Sequence, residues 1–569
     1  MRDRIKKRYL TLGIVTLLTG CENKMIDEDS LIHASDITYI EKLEEENNIS
    51  YEKILNTRGG YIPSMCYTKT KDIQSNHIFN PCYTCHTKGK IPNFHNDTHL
   101  QQLYAFPKEM MKNPYRNLFK NRTFRVNAMS DKMILAYVRE SNYLDQEGDI
   151  IPATVLPKRW KGYRPDCYFN FDDEGFDKDK RGDYTGWRAF RYYPFLGTFW
   201  PTNGSSDDVL IRLGALFRQD EHHSFNKEIY KLNFSIVEAL IKSKYIALER
   251  GVDEKVYGVD LNGDGTLNTA WGISPEITSY VGLAKVYLRE NKVHLSQGLF
   301  PEETEFLHSV RYLDWDEKSN TIVLSAKMKE LRYAKKYSWK SYGALKRAAE
   351  SELVEALSLD TSQARISVFR GNYEEGLRNE TGWLFQGFIE DKSGNLRPQT
   401  HEETIACMGC HSHLGATTDS SFSFLRKFEG FQKEKNDYGW NHWSQKGFEG
   451  LKEPIALYSD YGREYEYSFY LKNNHSGNEF RNNEEVKNNF FDKNGMIKEE
   501  MLKALQGDIT LLLYPSKKRA LELNKQYKVI VEEQSYIYGR DATLNKIKNI
   551  YEEIKEGALT GIVNPIVKP

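Results

Sequence analysis

Ala326-Lys-Met-Lys-Glu-Leu-Arg-Tyr-Ala-Lys-Lys336, with the residues after it as far as 358, weighs most in any prediction of the fold. Lys327, Lys329, Arg332, Lys335, Lys336, Lys340, Lys346 and Arg347 crowd this stretch, and it reads as one long, basic, amphipathic helix over 326–358. Such a face is either solvated or a docking surface for an acidic partner. Outward from it, Ile229, Leu232, Ile236, Leu240 and Tyr245 recur at helical spacing and predict a helix over 225–250. Ser130 is placed to open another helix through Met133–Val138. The stretch 150–220 is β-rich and aromatic, with Gly186-Trp-Arg-Ala-Phe-Arg-Tyr-Tyr-Pro-Phe-Leu-Gly-Thr-Phe-Trp200 followed by Val209-Leu-Ile-Arg-Leu. The tail over 450–569 is charged and reads as mainly helical, with a last helix near 541–558.

Two pentapeptides carry chemistry. They are Cys82-Tyr-Thr-Cys85-His86 and Cys407-Met-Gly-Cys410-His411. Cys-x-x-Cys-His is the spacing of covalent haem attachment: the two sulfurs bond the porphyrin vinyl carbons, and the histidine lies under the iron as its proximal ligand. A zinc site would need a second ligand pair close by, and a redox dithiol does not need the trailing histidine. The expected cofactors are therefore two haems, with His86 and His411 on the irons.

The N-terminus agrees with this. Arg2, Arg4, Lys6, Lys7 and Arg8 precede the apolar run Leu10–Leu18, which is too short to span a bilayer and fits an export signal. It ends in Leu18-Thr19-Gly20-Cys21, which resembles a bacterial lipobox and implies cleavage before Cys21 and a lipid on its thiol. The expected location is the periplasm or cell envelope, on a membrane through that lipid. Of seven cysteines, the lipid and two haems leave Cys66 and Cys167, either as a disulfide or as two buried thiols.

Each iron has a sixth position, filled in an electron carrier and open in an enzyme. For the first haem the candidates are His77, His95, His99, Met65, Met110 and Met111, with His95 and His99 one helical turn apart and Met110 and Met111 further off. For the second, His442 between Trp440 and Trp443 is the nearest choice, while His222 and His223 could serve either iron. His413 lies too close to His411 to cross the same ring. A separate feature, Asp260-Leu-Asn262-Gly-Asp264-Gly265-Thr266-Leu-Asn268, resembles an EF-hand-type calcium loop. It lacks the last acidic ligand, since Trp271 stands there, and Glu276 would have to complete the shell.

The expected organisation over 569 residues is a signal peptide at 1–21, an N-terminal haem region at 22–149, and a middle region with the calcium loop at 150–379. A C-terminal haem region at 380–450 and a helical tail at 451–569 follow. The expected fold class is α+β: mostly helices and loops around two haems, with a β-rich aromatic middle. A net charge of -1 gives no basic excess for nucleic acid.

Gly59-Gly-Tyr-Ile-Pro-Ser64, Phe199-Trp-Pro-Thr-Asn-Gly-Ser205 and Cys407-Met-Gly-Cys-His411 resemble large lipoprotein cytochromes of bacteria. The resemblance implies haem c and export, and no substrate. Two functions stay open: electron transfer to redox protein partners in the envelope, or a di-haem peroxidase- or oxidase-like enzyme with one open iron.

Overall fold

The computed structural model describes residues 62–67, 84–90, 92, 110–196, 204–357, 369–411, 417–428, 438–459, 461–474, 483–541, 547 and 550–554. Two compact units divide the chain, Met1–Glu46 with Pro157–Arg159, and Asn47–Leu156 with Trp160–Pro569. The second carries every described helix and strand. Cys21, Cys82, His77, His95, His99 and His413 lie outside the described residues.

The strands, in chain order, are β1 Phe176–Lys178, β2 Tyr184–Phe190, β3 Val209–Arg212, β4 Ile246–Asp253, β5 Thr269–Ile273, β6 Glu305–Asp316 and β7 Thr321–Lys336. They continue with β8 Arg370–Asn372, β9 Gly376–Arg378, β10 Trp383–Glu390, β11 Leu396–Pro398, β12 Ile455–Tyr458 and β13 Gly462–Tyr465. Nine of them form one sheet in the order β1-β2-β3-β6-β7-β10-β9-β8, with β11 also paired to β10. Every pairing in it is antiparallel. Its centre is the β6–β7 hairpin, and β10 runs along the other edge of β7 from Trp383 opposite Lys336 to Ile389 opposite Glu330. The main described helices are α1 Asp131–Arg139, α2 Lys227–Lys242, α3 Tyr342–Leu357, α4 His401–Cys407 and α5 Lys517–Glu533.

The expectation of a mostly helical chain is thus corrected: the centre of the fold is an extended antiparallel sheet. The decisive error is the basic stretch. Thr321–Lys336 is a strand, and only Tyr342–Leu357 of the expected helix is helical. Tertiary pairing decides it, because β6 and β10 satisfy the β7 backbone on both sides. Lys327, Lys329 and Lys336 are buried, while Arg332 and Lys335 are partly exposed and pair with Glu330 and Glu303. Lys336 meets Asp419 at 2.5 Å with side chains 1% and 0% exposed. The ammonium of Lys329 donates to Gly204 O at 2.7 Å and Ser205 Oγ at 2.8 Å, over the ring of Tyr527.

Where caps speak, sequence and structure agree. The Ser130 hydroxyl accepts from Met133 N at 3.2 Å and starts α1. Asn226 accepts from Glu228 N and Ile229 N and starts α2, which stops at left-handed Ser243, φ 49°, short of the expected 250. Ile550–Ile554 is not helical, and Glu553 bridges Lys112 there.

The two faces of the sheet bury different cores. Leu210, Leu307, Leu331 and Phe388 pack on one side with Trp187 and Cys167. Ile211, Phe306, Trp383 and Phe385 belong to the core on the other side, which α2 fills with Phe234, Ile236 and Leu240. Tight turns close many of the connections in one way: an aspartate accepts the backbone N–H groups two and four residues on. This occurs at Asp145, Asp172, Asp179, Asp220, Asp391 and Asp492. The residue three after the aspartate has positive φ each time, and it is glycine except at His223, φ 63°.

Candidate functional site

The second pentapeptide is presented by α4. Thr400 and Glu403 form a reciprocal capping box, and Glu403 is gripped by Arg397 through two bonds of 2.8 and 2.9 Å, all three groups buried or nearly so. The helix therefore begins at a fixed point and delivers Cys407 at its end. A 3-10 turn, Met408–His411, follows directly and carries Cys410 and His411.

His411 is held three ways. Asn379 Nδ2 donates to its carbonyl at 2.9 Å, its ring lies 5.1 Å from the ring of Phe385, and its Nδ1 is 2.9 Å from Ser420 O. The carbonyl that takes Nδ1 comes from a strained turn. Asp419 and Ser420 both have left-handed backbones, φ 50° and 57°, and the Asp419–Lys336 pair pins them. Burial pushes the His411 imidazole down to about 4, so it is neutral near pH 7.

His411 opens on a cavity of about 220 Å³, partly open to solvent, over the face of the sheet that carries Val209, Phe306 and Phe385. Its walls mix aromatic rings such as Phe306, Trp383 and Phe385 with polar and charged groups, and Cys85 of the first pentapeptide lines the same cavity. The segment over 84–90 is fixed there by Lys88 N to Leu457 O at 2.8 Å and Lys90 Nζ to Lys242 O at 3.3 Å. Met65, on the 3-10 turn Ser64–Tyr67, lines it as well. The two pentapeptides, distant in sequence, thus converge on one space.

The fit to haem can be judged on these groups. An acceptor carbonyl at Nδ1 forces the proton onto that nitrogen and leaves the His411 Nε2 lone pair for a metal. The apolar part of the lining could face a planar ring, and His411 could serve an iron as a nitrogen donor, while Asp207, Arg332 and Arg426 add charge to the same walls.

Of the other candidate ligands among the described residues, Met65 lines the cavity, while His442, His222, His223, Met110 and Met111 do not. His442 is buried with both nitrogens engaged, Nε2 at 3.0 Å from Asp208 Oδ2 and Nδ1 at 2.6 Å from Ser444 Oγ, and it stacks on Phe171. His222 and His223 are exposed on the Asp220 turn. Met110 is buried in the core beside Met111. Cys167 keeps a free, fully buried thiol, so the bridge to Cys66 is not formed. Its burial pushes that thiol well up.

The residues of the calcium-like loop do come together, but their oxygens serve the loop itself. Asp260 accepts from Gly263 N, Asp264 N and Gly265 N, and Asp264 from Thr266 and from the amides of Asn262 and Asn268. Glu254 takes the N–H groups of Leu261, Asn262 and Asn268. Among the described residues, no group of three His, Cys, Asp or Glu side chains could hold a metal ion.

Sequence reasoning missed His308, Arg332 and Asp207, which also line the cavity. The available signal was weak: His308 stands two residues after Phe306 on one strand face, and a lone strand histidine announces nothing.

A lipoprotein family model matches residues 54–506. An uncharacterised lipoprotein of Aquifex aeolicus (strain VF5) is 32% identical over 531 residues, covering 84% of this chain and 85% of its own. No solved structure matches. The resemblance to cytochromes is corrected accordingly, because the matching family is a lipoprotein family and not a cytochrome family.

Proposed function

Since the chain belongs to this lipoprotein family, we propose that it sits on a membrane of the cell envelope through a lipid on Cys21, and moves electrons there through two covalently bound haems. Cys82, Cys85 and His86 would hold one, and Cys407, Cys410 and His411 the other. The observation that carries this reading is the meeting of Cys85 and His411 on one cavity. Cys85 of one motif and His411 of the other would lie this close if the two attachment sites held adjacent groups. Bound haem supplies a one-electron couple. The chain's own part is to aim the His411 Nε2, to exclude water with the aromatic part of the walls, and to keep the two attachment sites together.

The partners would be redox proteins. The first part of the basic stretch, Thr321–Lys336, is a strand of the central sheet and not a solvated helix face. The test is a haem count on the exported protein by the pyridine haemochrome spectrum. Two covalently bound haems per chain are expected, falling to one when Cys407 and Cys410 are both replaced by Ser. Export with no covalently bound haem refutes the reading.

A further inference from the structure

We infer that His308 is the second axial ligand of the iron held by His411, closing that iron between two imidazoles. The inference rests on the reading of 407–411 as a haem attachment site.

His308 and His411 line the same cavity. The sheet register carries one toward the other. His308 is two residues beyond Phe306 on β6; Phe306 opposes Ala334 on β7, and Ala334 opposes Phe385 on β10. Phe385 is the residue against which the His411 ring rests. With ~3.3 Å of rise per residue and ~4.8 Å between strands, the His308 and Phe385 Cα atoms lie about 12 Å apart on one sheet face.

Both rings are prepared in the same way. His308 Nδ1 is 2.8 Å from the backbone oxygen of Asp208, as His411 Nδ1 is from that of Ser420. A carbonyl only accepts, so each Nδ1 carries its proton and each Nε2 keeps a lone pair. Asp207 Oδ1 stands 3.5 Å from the same His308 nitrogen, the carboxylate position that makes a ligating imidazole a better donor. The backing is rigid: the buried Asp208 carboxylate accepts from Ser309 N at 2.6 Å and faces His442 Nε2 at 3.0 Å. His442 therefore stands behind His308 rather than in the ligand position itself. His308 lies on an inner strand, yet 29% of its side chain is accessible, and it lines the cavity.

The competing occupant of the sixth position is Met65, which lines the same cavity. Low-temperature electron paramagnetic resonance and carbon monoxide titration on the holoprotein separate the two. In the wild type both haems should be low-spin and inert to carbon monoxide. In His308→Ala one of the two haems should become high-spin and bind one equivalent of carbon monoxide, and added imidazole should restore low spin. His308→Met, which keeps bulk and a weaker donor, should raise the midpoint potential of one haem and leave the other unmoved. Two low-spin haems in His308→Ala, or an unchanged potential in His308→Met, overturns the inference while the haem count of two leaves the parent reading standing. A wild-type count below two overturns both.

Discussion

Replacing Lys336 by Met strips the partner from a buried carboxylate next to the His411 turn. The two charges are 2.5 Å apart with side chains 1% and 0% exposed. At an effective dielectric constant of ~20 their attraction is about 7 kcal/mol. Removing both from water costs several kcal/mol each, so the intact pair contributes little net stability. The asymmetry lies in breaking it. Without Lys336, Asp419 keeps, among the described residues, the bond from Phe300 N at 3.0 Å, and the loss should be about 3–5 kcal/mol. Asp419→Asn should cost less, because the ammonium still donates to Thr381 O at 3.0 Å and asparagine tolerates the left-handed backbone. The double variant Lys336→Met/Asp419→Asn leaves no bare charge and should recover at least about 2 kcal/mol over the sum of the singles. Guanidinium unfolding of all four proteins, with the slope checked for constancy, measures this cycle. If the two losses simply add, the pair is not coupled and the account of the turn fails.

The remaining predictions concern a turn and a titration. His223→Gly should raise stability by up to about 1 kcal/mol, since five sister turns carry glycine at that position and His223 alone holds φ 63°; a lower unfolding midpoint would contradict the turn geometry. Burial pushes the Lys329 ammonium down to about 7, whereas the unfolded chain binds that proton up to about pH 10.5. Its contribution is complete above pH 10.5 and is lost as pH falls toward 7, roughly 5 kcal/mol in all. Unfolding midpoints between pH 7 and 10 should climb in the wild type and flatten in Lys329→Met; equal slopes would mean that Lys329 stays charged.

Local signals were legible and long-range ones were not. Ser130 opens its helix because a side-chain acceptor at the first turn acts within three residues. The Asp-x-x-Gly turns are equally local. The pentapeptides are local features too, each contained in five consecutive residues. The strand β7 defeated the same reasoning: its lysines look solvated until Asp419, Gly204 and Ser205, residues far away in sequence, come to meet them. His442 looked like a ligand for its aromatic neighbours, and Asp208, more than two hundred residues earlier, turned it into a buttress. His308 carried no motif at all. Its meaning comes from strand register, which no single stretch of sequence contains.

The cavity draws Met65, Cys85, Val209, His308, Phe385 and His411 from across the chain. No fragment can therefore inherit it. Cutting the protein between its two pentapeptides would leave one half without a floor and the other without a mouth, so the smallest working piece reaches at least from Met65 to His411. Contacts so remote must also wait for long loops to close, which slows folding. During that wait the long strands of the central hairpin stand with bare edges in the envelope, and their buried lysines, still hydrated, act as guards against pairing with a neighbouring copy.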